Sequence, residues 1–201
     1  SNWQLELNVN QMTDPVTDDV IADVLFVDLD GTLVATDVLR EAFMLALKRR
    51  PWVACLFLLS ILRGRAAAKR VVAKRIIPEP ARLPFRDEVI AFISQARARG
   101  CRVVLATASD AVWAEAIARH VRCFDDVLAS DGKRNLKGIG KLQAIQAYCQ
   151  QYGLVSFAYI GDAMADLPIW QQATQVYVVS PSPSLLRVMQ RRCPPTRIFK
   201  S

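Results

Sequence analysis

Four short apolar runs, separated by helical stretches, constrain the fold more than any other feature of this sequence. The runs lie at residues 24–27, 101–106, 157–160 and 176–179, and Arg102 is the one charged residue within them. A run without alternating polar residues is typical of a strand buried on both faces, as in a parallel sheet. Helical patterns lie at residues 86–99, 111–121, 141–152 and 166–172. The sequence therefore predicts an α/β fold with a doubly wound, Rossmann-like parallel sheet.

The first strand is separated from the second by a long stretch that contains only helical patterns. A length of 201 residues suits one core with an inserted lobe better than two ordinary domains. We predict a flexible arm at 1–20 and a core at 21–35 and 79–193. A helical lobe is inserted at 36–78, directly after the first strand, and a tail follows at 194–201.

Positive charge is concentrated in this lobe. Residues 34–77 hold ten basic and two acidic side chains, whereas the remaining residues hold 16 basic and 17 acidic ones. A uniformly basic nucleic-acid-binding domain is therefore disfavoured, and we expect no nucleic-acid partner. The lobe is expected to attract an anion, either a substrate phosphate or an anionic membrane surface. In the simpler alternative its charges are only solvated and its apolar residues only pack the lobe.

Cysteine usage and hydropathy predict a cytoplasmic protein. The five cysteines are scattered and form no C-x-x-C pair, which argues against a disulfide framework and a zinc site. The longest uncharged apolar run, at 51–62, has 12 residues and is shorter than the roughly 18 needed to cross a bilayer. We expect the protein in the cytoplasm, at the cytoplasmic membrane face if the basic lobe meets lipid.

The first apolar strand ends in the motif D-L-D-G-T-L, which begins at Asp28. In open α/β sheets this strand edge is where ligands bind. Asp28 and Asp30 suit phosphoryl transfer, because one carboxylate can attack phosphorus and the other can protonate the leaving oxygen. Gly31 lets backbone N–H groups approach a phosphate. An ordinary Asp-Gly turn is the alternative interpretation.

Three further polar sites follow later strands or open helices. Thr107 ends the second apolar strand, Lys137 and Lys141 lie in and after the loop N-L-K-G-I-G-K, and Asp162 and Asp166 follow the strand at 157–160. Taken one at a time, these sites have simpler interpretations: Thr107 as a strand-end cap, the lysines as surface residues and the Gly-Asp pair as an ordinary turn. With Asp28, the later aspartates would form an all-oxygen site that favours Mg²⁺. Together the four sites indicate phosphate chemistry at one sheet edge.

In this order, the motifs resemble those of the haloacid dehalogenase (HAD) superfamily of Mg²⁺-dependent phosphohydrolases. D-L-D-G-T resembles the first motif, Thr107 the second, Lys137-Gly138 the third and G-D-A-M-A-D the fourth. Lys137 is preferred to Lys141 because the family's lysine is often followed by glycine. The resemblance also implies that the inserted lobe is a C1-type cap, which closes over the site and selects the substrate.

The resemblance implies a role for each matched residue. Asp28 would be the nucleophile that forms an aspartyl-phosphate, and Asp30 the general acid and base. The substrate phosphate would be bound by Gly31, Thr107, Ala108 and Lys137. The metal would be held by Asp28, the Asp30 carbonyl and Asp162. Asp166 would support these ligands without contacting the metal itself.

The Asp at position 30 indicates a phosphatase and not a dehalogenase, because dehalogenation needs no acid for the leaving group. Hydrolysis of a phosphomonoester is therefore the predicted activity. A phosphomutase shares every motif, and a regulatory, non-catalytic module is the second alternative. Carboxylates concentrated at one strand edge argue against the latter.

A closer resemblance involves L-A-T-A-S-D, V-L-A-S-D-G-K-R-N-L-K-G and A-D-L-P-I-W. These stretches look like the HAD domain that precedes UbiA-type polyprenyltransferase domains in bacterial fusion proteins. The resemblance implies a prenyl-linked or sugar phosphate as substrate. It also implies a membrane prenyltransferase domain that follows this one in the full-length protein.

Overall fold

A six-stranded parallel sheet forms the centre of the structure. The computed structural model describes residues 20–49, 52–53, 56, 73, 79–131 and 135–200. The strands are β1 (Val24–Val27), β2 (Arg102–Asp110), β3 (Asp126–Ser130), β4 (Phe157–Gly161), β5 (Gln175–Val179) and β6 (Arg197–Phe199). Their spatial order is β3-β2-β1-β4-β5-β6, with every pair parallel. This arrangement confirms the predicted doubly wound α/β fold.

Six α-helices flank or follow these strands in the described part of the chain. They are α1 (Val38–Arg49), α2 (Asp87–Ala98), α3 (Ala111–Val121), α4 (Ile139–Tyr152), α5 (Leu167–Trp170) and α6 (Pro183–Arg192). Short 3₁₀ turns at Pro80–Arg82 and Met164–Asp166 precede α2 and α5. The Asp110 carboxylate caps α3 by accepting from the Val112 N–H, and Ser182 caps α6 through the Leu185 N–H.

The strands bury side chains on both faces of the sheet. In β1, Leu25 and Val27 join one apolar cluster, which includes residues of α1, α2 and α3. Val24 and Phe26 point the other way into a second cluster with residues of α4, α5 and α6. Two buried faces explain why the β1 sequence is wholly apolar and not alternating.

The observed elements differ from the sequence pattern mainly at the sheet's margins. The outer strands β3 and β6 have no apolar run long enough to predict them. β6 lies within 194–201, so the segment predicted as a tail contributes a strand to the sheet. The helix expected at 166–172 is shorter, because Met164–Asp166 forms a 3₁₀ turn before α5.

The inserted lobe is described only in part. α1 lies at its start, and residues 52, 53, 56 and 73 are helical. Residues 50–51, 54–55, 57–72 and 74–78 of the predicted lobe lie outside the described residues, as does the arm predicted at 1–20 apart from residue 20. These boundaries, and the role of the lobe as a cap, stay predictions. Among the described residues, no helix combines the length and apolarity that crossing a membrane requires.

Candidate active site

The carboxyl ends of β1 and β4 bring the predicted acidic residues together. β1 and β4 are neighbours at the point where the strand order reverses, with Val27 paired to Ile160. Asp28 directly follows β1 and its backbone N–H donates to the Ile160 carbonyl at 3.0 Å. Asp162 directly follows β4. Both aspartates therefore lie at the switch point, where ligands bind in open α/β sheets.

Three aspartates form an acidic cluster at this edge. Carboxylate oxygens of Asp28, Asp162 and Asp166 all lie within 4.8 Å of one another. Asp28 is 8% exposed and Asp166 only 2%, so little water screens their charges. Three carboxylates, of which Asp28 and Asp166 are buried and Asp162 is partly exposed, suit a hard divalent cation such as Mg²⁺, which would balance their charge. Asp166 belongs to this group, although the resemblance placed it behind the metal ligands.

Lys141 is the cation that the structure places against the acidic cluster. Its Nζ lies 2.9 Å from Asp28 Oδ1 and 3.3 Å from Asp166 Oδ1, and the residue is 3% exposed. Lys137, which the Lys-Gly pattern favours, is exposed on the loop before α4. Because Lys141 lies in the first turn of α4, its side chain reaches the sheet edge. We therefore correct the assignment of the site lysine from Lys137 to Lys141.

Tyr159 connects this lysine to the acidic cluster, a role that the sequence pattern does not reveal. Its hydroxyl accepts a hydrogen bond from Lys141 Nζ at 2.8 Å and donates one to Asp166 Oδ1 at 2.8 Å. Tyr159 is fully buried. A tyrosine inside an otherwise apolar strand is the one available signal, since a buried hydroxyl needs a partner.

Burial and mutual repulsion shift the proton affinities of this cluster. Burial raises the pKa of Asp28 to about 7, with Lys141 opposing the rise and Asp166 adding to it. Burial, with the Asp166 charge, raises the pKa of Asp162 to about 6. Burial lowers the pKa of Lys141, but Asp28 and Asp166 outweigh this effect and the net shift is upward. The lysine therefore stays an ammonium, while Asp28 and Asp162 bind protons more tightly than an exposed aspartate does.

Both carboxylate oxygens of Asp30 accept hydrogen bonds from groups outside the acidic cluster. Its Oδ1 accepts from the backbone N–H of Val38, the first residue of α1, at 2.7 Å. Its Oδ2 accepts from the Ser109 hydroxyl, also at 2.7 Å. The side chain is thus oriented by two partners, and its charge adds to the rise in the pKa of Asp28 and of Asp162. The residue after Ser109, Asp110, caps α3, so the two neighbouring polar residues have different partners.

Two of the predicted phosphate-binding residues, Thr107 and Ala108, lie near the carboxyl end of β2. Thr107 is buried within β2, and its Oγ1 accepts from the Ser109 N–H at 2.9 Å. The neighbouring Ala108 carbonyl accepts from Ser130 Oγ at 2.9 Å. These contacts order the end of β2, whereas the assignment of Thr107 and Ala108 to phosphate stays a prediction.

Gly31 makes room for Asp162. A Cβ at position 31 would lie 2.1 Å from Asp162 Oδ2, and the Gly31 φ of +78° is one that other residues rarely adopt. Asp162 Oδ1 accepts from Thr32 Oγ1 at 3.3 Å, so the glycine turn also orients this carboxylate. The D-G-T stretch therefore packs against Asp162, the aspartate that follows β4.

The family of this chain follows from its similarity to known proteins. Residues 25–171 match the family of haloacid dehalogenase-like hydrolases. Because that match covers more than half of the chain, this protein belongs to the haloacid dehalogenase-like hydrolase family. The resemblance drawn from the four motifs is confirmed at this level.

One relative is much longer than this chain. The uncharacterized protein y4nM of Sinorhizobium fredii (strain NBRC 101917 / NGR234) is 37% identical over 155 residues, which are 77% of this chain. The match spans 29% of the relative, so this chain corresponds to less than a third of it.

Solved structures share the fold at low sequence identity. A protein of unknown function from Bordetella pertussis Tohama I superposes with a TM-score of 0.68, at 17% identity, over 88% of this chain and 97% of its own. A substrate-bound phosphoserine phosphatase has a TM-score of 0.61 at 15% identity, and the match covers 90% of this chain and 94% of the phosphatase. A predicted phosphatase from Clostridium acetobutylicum has a TM-score of 0.63 at 17% identity, and the match covers 90% of this chain and 95% of the phosphatase.

Proposed function

We propose that this chain is a Mg²⁺-dependent phosphatase that hydrolyses a phosphomonoester through an aspartyl-phosphate on Asp28. The observation that carries the proposal is the buried Asp28–Lys141 pair beside two further carboxylates at the sheet's switch point. A nucleophilic carboxylate must approach an anionic phosphate, so nearby cations are needed to reduce the repulsion. The phosphatases of similar fold are consistent with this chemistry but do not identify the substrate.

The reaction divides between Asp28 and Asp30. A carboxylate oxygen of Asp28 attacks phosphorus, the bond to the leaving oxygen breaks, and Asp30 gives that oxygen its proton. In the second step Asp30 takes a proton from water, whose oxygen attacks phosphorus and breaks the bond to Asp28. Inorganic phosphate leaves and both carboxyl groups return to their starting state.

The other residues hold charge and position. Lys141 would contact the phosphate oxygens as well as Asp28, while Tyr159 and Asp166 fix the lysine in place. Mg²⁺ bound by Asp28 and Asp162, with Asp166 or the Asp30 carbonyl, would neutralise charge on the phosphate. Ser109 and the Val38 N–H orient Asp30.

The test is hydrolysis of p-nitrophenyl phosphate with Mg²⁺ by three proteins. Asp28→Asn is nearly isosteric and is expected to lower kcat by at least about 10³-fold. Asp87→Asn, a matched change at an exposed site in the first turn of α2, should leave kcat unchanged. Undiminished turnover in folded Asp28→Asn protein would overturn the mechanism. Transfer of labelled phosphate to a second hydroxyl, without its release, would indicate a phosphomutase instead.

We further infer that the domain acts on a prenyl-linked or sugar phosphate at the cytoplasmic membrane face, joined to a UbiA-type prenyltransferase. Support comes from the quoted sequence stretches, the basic lobe and the much longer relative. The test is whether the reading frame past Ser201 encodes apolar runs of roughly 20 residues. A panel of small and prenyl-linked phosphates tests the substrate, and equal rates on all of them would contradict this part.

A further inference from the structure

A groove with three arginines lies beside the loop that carries the acidic cluster. It has a volume of about 650 Å³. We call it the arginine groove, and it is lined by Met164, Leu167, Ser184, Arg187, Val188, Arg191 and Arg192. Met164 and Leu167 lie on the segment after β4 that also carries Asp162 and Asp166, so the groove and the acidic cluster share this segment. Most of its lining lies on α6, beyond the residues that match the hydrolase family.

α6 has two different faces. Leu185 and Met189 are buried in the core, four residues apart. The residues that face the groove stand at positions 184, 187, 188, 191 and 192, which is the spacing of a single helix face. The arginines of α6 are therefore gathered on one side and not spread around the helix.

Among the described residues, the charged side chains on this face are all positive. No Asp or Glu occurs in the sequence after Asp166, and none lines the groove among the described residues. Arg187 and Arg191 are four residues apart, a spacing at which like charges destabilise a helix. The helix dipole favours cations in the last turn, which accounts for Arg191 and Arg192. Arg187, in the middle of α6, donates from Nε to the Pro183 carbonyl at 3.3 Å, a contact that does not neutralise its charge. An anion bound between the arginines would remove this repulsion.

The floor of the groove is apolar. Leu167 and Val188 line it, and Met164 is 45% exposed there. An exposed apolar surface bordered by cations is complementary to a molecule with an anionic end and an apolar body. Guanidinium groups bind phosphate through paired N–H donors, which favours phosphate as the anionic end.

We propose that the arginine groove binds a ligand in which a phosphate group is attached to an apolar chain. The phosphate contacts Arg187 and Arg191, and the chain lies on Met164, Leu167 and Val188. Such a group occurs in a free alkyl phosphate and in a membrane phospholipid. The groove's volume falls within the roughly 300–1,000 Å³ usual for small-molecule sites.

The test is a binding titration followed by NMR of protein labelled with ¹³C at the methionine methyl groups. The chain has four methionines, which keeps the spectrum simple. Met164 reports on the groove and is assigned with Met164→Leu, while Met189, fully buried on the core side of α6, serves as the internal reference. Octyl phosphate, octanol and inorganic phosphate are titrated without Mg²⁺, so that the result does not depend on hydrolysis.

We expect octyl phosphate to shift the Met164 signal and to bind more tightly than octanol or inorganic phosphate. Arg187→Ala should weaken its binding about fivefold, equivalent to about 1 kcal/mol. The matched control is Arg119→Ala on α3, which removes the same charge from an exposed arginine that pairs with Glu115. It should leave the affinity unchanged.

Three results would overturn the proposal: no Met164 shift, equal affinity for inorganic and octyl phosphate, or equal loss of affinity in the two arginine variants. Sedimentation with phosphatidylcholine vesicles, with and without phosphatidic acid, identifies the source of the ligand. Arg187-dependent binding to the phosphatidic acid vesicles indicates a lipid headgroup. Retained octyl phosphate binding without vesicle binding indicates a free ligand.

Discussion

Replacement of Lys141 by methionine tests the centre of the candidate site. Methionine keeps an unbranched apolar chain but removes the ammonium group. The Asp28 carboxylate then loses a partner at 2.9 Å and Asp166 loses one at 3.3 Å. Lys137→Met is the matched control, because it makes the same change four residues away at an exposed position.

The structure sets the size of the expected effects. Removing one partner of a buried ion pair costs about 3–5 kcal/mol, because the other charge stays buried. For a domain of this size that lowers Tm by about 6–20 °C. Loss of a cation aimed at the phosphate should lower kcat by about 10²–10³-fold. Lys137→Met, at an exposed site, should change stability by no more than about 0.5 kcal/mol.

The assay combines thermal unfolding followed by circular dichroism with hydrolysis of p-nitrophenyl phosphate. Measurements of kcat are made well below the Tm of each variant, so that unfolding does not contribute. Equal effects of the two substitutions, or a larger effect at Lys137, would refute the assignment of Lys141. An unchanged Tm for Lys141→Met would refute the buried ion pair itself.

Three further predictions concern the glycine turn, the orientation of the acid and the metal. Gly31→Ala should abolish Mg²⁺-dependent activity, because the added Cβ would displace Asp162. The control is Gly100→Ala, which is also at positive φ but has no atom within 4 Å of the added Cβ, and it should only lower Tm slightly. Ser109→Ala removes a hydrogen bond that orients Asp30, the proposed acid for the leaving group. The fall in kcat should be about tenfold larger for an alkyl phosphate than for p-nitrophenyl phosphate, because the nitrophenolate leaving group needs little protonation. The pKa values of Asp28 and Asp162 are about 7 and about 6, so protons compete with Mg²⁺ for these carboxylates as the pH falls. The rise in Tm caused by Mg²⁺ should therefore shrink between about pH 8 and pH 5.

Each of these predictions has a clear contrary result. Equal activity of the two glycine variants would show that position 31 tolerates a side chain. An equal loss on both substrates would mean that Ser109 supports the fold and not proton transfer. A Mg²⁺ effect that stays constant with pH would contradict the metal's dependence on the aspartates.

The interior of the fold was largely predictable from local sequence. The helix predicted at 111–121 matches α3, and the run at 24–27 matches β1. These elements carry a pattern over several residues, because their side chains face a defined environment. β6 has only three residues, and β3 has polar residues at both ends. Their pairing depends on the neighbouring strand and leaves no periodic signal in the sequence.

The sequence by itself determined which residue types stand at the ends of the strands, and therefore the class of chemistry. Asp28, Thr107 and Asp162 each follow or end an apolar run, and parallel strands must present such ends at one edge. The order of these motifs along the chain was enough to predict the hydrolase family.

Only the tertiary structure decided which of the nearby polar groups meet. Lys137 and Lys141 stand four residues apart, and the direction in which the first turn of α4 faces the sheet selects Lys141. Packing also turns Asp30 toward Ser109 and brings Asp166 into the acidic cluster. Such choices depend on distances of a few ångströms between segments far apart in the chain, which local sequence patterns do not encode.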